Sequence, residues 1–232
     1  MRLIGLVVFL LGCPAEDFGV HVPSGGIDSI NNEDLQRDVW SLTRGSLSDR
    51  RVGMPGHEEG LEMIRRRLLQ MRTLPAVGSQ GFQSVGKGYN LCTIREGRGD
   101  QHVLLSVTDV GQGAYLSASS IAGLIGLAKS LDTPGRPAHS VVFCVFAGER
   151  GKEAFVAAPL FPVDTLKSWI EIGPLGLPGE LSWVEKSDVL RRVTVEGAST
   201  PEQGIVDDLD FRILLKQIGA VHDIVSQVLQ AP

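Results

Sequence analysis

The sequence predicts an α/β fold: a single domain of three layers, α/β/α, with helices on both faces of a mixed, mostly parallel sheet. Three observations carry this. Strand-like apolar runs alternate with segments of helical periodicity, the pattern that builds parallel sheets through crossover helices. The run "VVFCVFA" from Val141 is apolar throughout, as a central strand covered on both faces must be. The 232 residues, 43% of them hydrophobic, can fill one sizeable core.

The elements follow in order. Asn31-Asn32-Glu33-Asp34 sets a helix start, with polar caps and acids in the first turn. Leu35, Val39 and Leu42 then recur on one face, with Trp40 beside them. A second helix is expected over about 55–71. Pro55 suits its first turn, Glu58 and Glu59 favour its positive end, and Leu61, Ile64, Leu68 and Leu69 make its apolar stripe. Strands are expected at 89–95, 102–107, 140–147 and 168–172. Between them lie an amphipathic helix at 119–131 and a shorter helix at 152–157. "DDLDFRILLKQIGAVHDIVSQVL" closes the chain as a long amphipathic helix.

The first thirteen residues, "MRLIGLVVFLLGC", do not belong to this fold. Arg2 precedes an apolar stretch, 3–11, too short to span a bilayer as a mature helix, and the segment reads as an export leader. Leu10-Leu11-Gly12-Cys13 resembles a bacterial lipobox, in which the cysteine thiol is lipidated and the bond before it is cut. Residues 1–13 are therefore expected to be a lipoprotein-type signal peptide, 14–30 a polar tether bearing Pro and Gly, and 31–232 the folded domain. The implied location is the bacterial cell envelope, with the exported chain held on a membrane by lipid at Cys13.

Composition excludes other classes. A net charge of −5 with scattered basic residues leaves no nucleic-acid footprint, and Arg65-Arg66-Arg67 reads as a solvated helix face. Cys92 and Cys144 sit inside apolar runs and read as buried thiols, neither a metal pair nor a disulfide. Without His or a second Cys at ligand spacing around them, a zinc ribbon is excluded.

Residues 104–131 run from a strand through a small-residue loop into a helix, the place where many α/β enzymes put their chemistry. Yet between Val107 and Ser120 the ionisable side chains are Asp109 and Tyr115 alone. Gly111-Gln112-Gly113 begins a dinucleotide loop, but Leu116 takes the place of its third glycine. "AGERGKE" fails as a phosphate loop, because its glycine spacing is off and Glu153 replaces the hydroxyl residue that would hold magnesium. Ser117, Ser119 and Ser120 lack the glycines of a nucleophile elbow and read as caps. The five histidines, His21, His57, His102, His139 and His222, form no pair at ligand spacing.

The order of segments from about residue 32 to 229 resembles the zinc-dependent M28 aminopeptidase family. Arg51-Val52-Gly53-Met54-Pro55-Gly56 stands where that family has R-x-G-T-P-G before a helix. Gly88-Tyr89-Asn90 matches its G-Y-N, and Val107-Thr108-Asp109 its strand ending in His-x-Asp. Residues 113–120 occupy the place of G-A-D-D-N-A-S-G, Ala147-Gly148-Glu149-Arg150-Gly151 that of A-E-E-x-G, and 199–203 that of H-T-P-x-D.

The resemblance implies a zinc-exopeptidase-like fold and two zinc ions held by a His, a bridging Asp, a Glu, an Asp and a second His. At the matching positions stand Val107, Leu116, Arg150, Glu171 and Ser199, while Asp109 is retained and Glu149 matches the general base. One carboxylate among five cannot offset dehydration of two ions, and Glu149 without a metal-activated water would accelerate little. About 25 residues separate the Glu171 strand from Ser199, an interval in which the family has additional strands. The expected function is therefore non-catalytic: a peptidase-like lipoprotein without cofactor that binds a peptide or protein. The alternatives are a hydrolase with a displaced metal site, which would require zinc, and a structural subunit of an envelope complex. In the vacated site the guanidinium of Arg150 is expected to pair with Glu171 and to reach Asp109.

Overall fold

Helices α1 (Asn32–Thr43) and α2 (Pro55–Leu69) open the chain, followed by strands β1 (Leu74–Pro75), β2 (Phe82–Val85), β3 (Gly88–Arg95) and β4 (His102–Asp109). After these come α3 (Ser119–Ser130), β5 (Ser140–Ala147), α4 (Gly148–Ala157), β6 (Leu166–Ile172), β7 (Leu181–Glu185), β8 (Leu190–Val195) and α5 (Phe211–Gln230). This computed structural model describes residues 25–111, 117–178, 181–185, 190–195 and 209–230. Cys13, Leu116 and Ser199 lie outside the described residues. Among those described, no helix is long and apolar enough to cross a membrane.

The strands form one open sheet in the order β1-β3-β5-β4-β6-β8-β7, with β2 paired to β3 off this path. Its middle is parallel: β4 runs between β5 and β6, and β6 continues to β8. The margins are antiparallel, β3 against β5 and β7 against β8. The single-domain, mixed, mostly parallel α/β fold expected from the sequence is the one observed.

Alternation along the strands sorts the core into two layers. Val141, Phe143 and Val145 of β5, with Val103, Leu105 and Val107 of β4 and Ile170 and Ile172 of β6, face α1, α2, α3 and α5. Val142, Cys144 and Phe146, with Leu104 and Trp169, face the opposite way, where Phe155 of α4 covers them. The α1 start follows the sequence reading: Asn31 caps it by accepting from the Asp34 amide at 2.7 Å, and Leu35, Val39 and Leu42 are buried. Trp40 is instead exposed on the outer face, with the Arg44 guanidinium over its ring.

Four expectations are corrected. The interval after Glu171 does contain strands, β7 and β8. Helix α4 begins at Gly148, one turn earlier than the apolar pattern suggests. Helix α3 is not half-exposed: except for Lys129 every residue in it is buried, because α1, α2 and α5 pack around it. Finally, Cys92 and Cys144 are a disulfide, with Cα atoms 4.3 Å apart. They are direct partners across β3 and β5. The Cys92 amide donates to Gly81 and its carbonyl accepts from Ala76, both on the side away from β5. That leaves the pair at a non-hydrogen-bonded position, where Cβ atoms of facing strands stand closest.

Candidate functional site

The parallel strands β5, β4 and β6 end side by side, with Asp109 at the tip of β4 opposite Ala147 of β5. Strand alternation then separates the positions that resemblance groups together. Val107 and Asp109 point to the face covered by α1 and α2; Val107 is fully buried in that core. Glu171 is in register with Ser106, and both stand on the α4 face. Two polar clusters result, one on each face.

The first is built on Arg50, one of the largest fully buried side chains. Its Nε and Nη2 donate to Asp109 Oδ2 at 3.1 Å and Oδ1 at 3.3 Å, and Nη2 also donates to Ser117 Oγ at 2.8 Å. Nη1 donates to the Leu42 carbonyl and, at 2.7 Å, to that of Leu47. All five guanidinium hydrogens thus have acceptors. Asp109 Oδ1 also accepts from the Gly111 amide at 2.8 Å, and the Gly111 carbonyl accepts from the Arg50 amide at 2.7 Å. Gly111 is required here: its φ is +83° and a Cβ would lie 2.4 Å from the Arg51 nitrogen. His57 extends the cluster. Its Nε2 accepts from the Tyr89 amide at 3.1 Å, so Nδ1 carries the proton and donates to the Arg50 carbonyl at 3.2 Å.

The second cluster joins α4 to β6. Lys152 Nζ lies 2.7 Å from Glu171 Oε1 and 3.0 Å from Glu149 Oε2, and Thr108 Oγ1 donates to Glu171 Oε1 at 3.4 Å. Glu171 is buried, whereas Glu149 is exposed. The expected pairing of Arg150 with Glu171 and Asp109 is therefore corrected: Arg150 is exposed, Lys152 serves Glu171, and Arg50 serves Asp109. Helix geometry is the reason. Residues two apart on an α-helix point about 200° away from each other, so with α4 starting at Gly148 only one of Arg150 and Lys152 can face β6. Lys152, a turn beyond Glu149, is the one that does.

Zinc is the metal that the resemblance implies, and the donors described do not fit it. Val107 has no donor atom. Both oxygens of Asp109 are taken by a guanidinium, and an ammonium sits on Glu171 where an ion would have to approach. Among the described residues no group of three or more His, Cys, Asp or Glu gathers where an ion could be held. The side chains of Arg50 and Lys152 went unrecognised in the sequence. For Lys152 the i, i+3 spacing from Glu149 was a usable signal; Arg50 lies in a loop and offered none.

Beside the second cluster, a cavity of about 610 Å³ opens at the end of β5. Val52 of the loop before α2, Val85, Gly86 and Lys87 of the β2–β3 turn, and Ala147, Gly148, Glu149 and Arg150 line it.

The architecture is the aminopeptidase-like α/β fold, shared with M28-type aminopeptidases and glutaminyl cyclases. The LapA aminopeptidase of Legionella pneumophila superposes with a TM-score of 0.68 over 89% of this chain and 74% of its own, at 11% identity. An aminopeptidase from Aneurinibacillus sp. strain AM-1 gives 0.69 over 89% and 96%, at 9% identity. The glutaminyl cyclase of Porphyromonas gingivalis gives 0.63 over 87% and 98%, at 13% identity. The sequence matches no protein-family model and no curated protein at a significant level.

Proposed function

We propose that this chain is a non-catalytic, peptidase-like lipoprotein of the bacterial envelope that works by binding a peptide or protein. The observation that carries the reading is the ammonium of Lys152 on Glu171, the one carboxylate left among the five positions matched to zinc ligands. A lysine there supplies internally the positive charge a metal would otherwise bring. It offers no Lewis acidity and no activated water. The Arg50–Asp109 pair supports the same reading from the other face, since it fixes a former strand-end carboxylate in a purely structural role. The disulfide supports export, because such bonds persist in oxidising compartments and are rare in a reducing cytosol.

The test is elemental analysis of the purified protein, with turnover of aminoacyl and N-terminal glutaminyl substrates measured in added zinc. No stoichiometric zinc and no turnover are expected. About one or two zinc ions per chain surviving dialysis, or turnover abolished by a chelator, overturns the proposal. Anchoring is tested separately by mass spectrometry of the native N-terminus. Lipid on Cys13 is expected, and a chain beginning at an unmodified Met1 refutes it.

A further inference from the structure

Two cavities of comparable size among the described residues differ in how their cations are engaged. The one between α2 and the start of β5, about 600 Å³, contains Arg72, Arg95 and Arg136. Each has a carboxylate partner within the chain. Arg72 and Arg95 converge on Asp132 at 2.7 and 3.1 Å and on nearby carbonyls, and Arg136 pairs with Glu96. Those arginines, each already partnered, tie the loop after α3 to β3.

The cavity at the end of β5 is the opposite case. Its walls are apolar at Val52, Val85 and Ala147 and cationic at Lys87 and Arg150. Glu149, the one acid among its described lining residues, is paired with Lys152. The nearest buried acid, Glu171, is held by the same ammonium. Lys87 and Arg150 are both exposed and, among the described residues, neither has a carboxylate partner. They come from different elements, the β2–β3 turn and the first turn of α4, yet they line one hollow. Val52 is exposed, as is Met54 two positions further along the same loop. Arg150 faces this space for the reason that keeps it off Glu171: it points away from β6.

We propose that this cavity binds an acidic peptide segment, with a carboxylate bridging Lys87 and Arg150 and an adjoining apolar side chain against Val52 and Val85. This rests on the peptide-binding reading above and names its ligand chemistry. Charge complementarity selects the occupant. A free amino terminus, the group an aminopeptidase must admit, would meet two like charges, with Glu149 already paired to Lys152. A carboxylate meets two donors, one of them a guanidinium able to take both oxygens.

The experiment is fluorescence anisotropy with four labelled tripeptides carrying the dye at the N-terminus: Ala-Leu-Glu as free acid and as C-terminal amide, and Ala-Leu-Gln in the same two forms. The Glu free acid should bind tightest, and the Gln amide at least tenfold more weakly. Retention by the Glu amide assigns the side-chain carboxylate; retention by the Gln acid assigns the terminal one. Lys87→Gln and Arg150→Gln should each weaken the acidic peptide by roughly threefold to fivefold and flatten its salt dependence. Both residues are exposed, so the variants should keep the wild-type circular dichroism and melting temperature. Equal affinity for the Gln amide, or unchanged binding in the double variant K87Q/R150Q, overturns the carboxylate assignment while leaving a peptide-binding reading intact. Absence of binding by every peptide overturns the site, whereas the zinc and turnover assays judge the non-catalytic reading independently.

Discussion

Arg50 and Asp109 lie 59 positions apart in the chain and form a two-pronged ion pair with side chains 1% and 4% exposed. The pair fastens the loop before α2 to the tip of the central strand. Removing a charge from such a pair leaves its partner buried without compensation, and the carbonyls of Leu42 and Leu47 would lose their donor as well. Arg50→Ala should therefore destabilise by about 3–5 kcal/mol in chemical denaturation. Arg50→Met combined with Asp109→Asn should cost clearly less than the two single changes added together. A loss below about 1 kcal/mol for the first variant would contradict the pairing.

Lys152 and Arg150 make a matched contrast on one helix. Lys152→Met should cost about 1–3 kcal/mol, because it strips a charged hydrogen bond from buried Glu171, and Glu171→Gln in the same chain should recover part of it. Arg150→Ala should stay within about 0.5 kcal/mol of the wild type. The reverse ranking would put Arg150, not Lys152, on Glu171.

The Cys92–Cys144 bond closes a loop with a sequence separation of 52. Chain entropy alone assigns it about 4 kcal/mol of stabilisation for a loop of that length. The double change to serine should lower stability by an amount of that order. Mass spectrometry of the unreduced, denatured domain should find neither residue open to alkylation. Two alkylated thiols in protein purified without reductant would refute the bond.

His102 stacks on Phe161 with centroids 4.4 Å apart, and its Nδ1 is 2.9 Å from Thr165 Oγ1. Burial pushes its imidazole below the usual value, with Asp100 opposing only in part. The unfolded chain therefore takes up the proton first as pH falls. The contribution of His102 is complete above about pH 6.5 and is lost as pH drops through the lower folded value. Replacement by Gln should flatten the dependence of melting temperature on pH between about 7 and 5. An unchanged slope would mean that other groups set it.

Strands β4 and β5 were legible because strands covered on both faces must be apolar, and "VVFCVFA" is short, uninterrupted and rich in β-branched and aromatic residues. The first helix was legible from the Asn31 cap and the Leu35-Val39-Leu42 stripe. Strands β1 and β2 were not, since two and four residues carry too little periodicity, and β8 hides behind Arg191 and Arg192. Pairing partners are non-local, so nothing in the sequence around Cys92 announces that Cys144 will face it. The site was half legible for a related reason. Residue types told which ligands were missing, but only the strand faces and the true start of α4 decide which cation meets which acid.

The strand order carries a consequence for how the chain reaches this state. Strands β3 and β4 are consecutive in sequence, yet β5 lies between them. Strand β3 cannot acquire its inner neighbour until a segment some fifty residues after Cys92 has paired with it. Contacts that span such separations are slow to form, because loop closure precedes any reward from pairing. Cys92 thus meets its native partner only when β5 pairs with β3. Appearance of the crosslink is a clock for that event, and a chain delivered unfolded across a membrane would register sheet closure as the moment its last free thiol pair disappears.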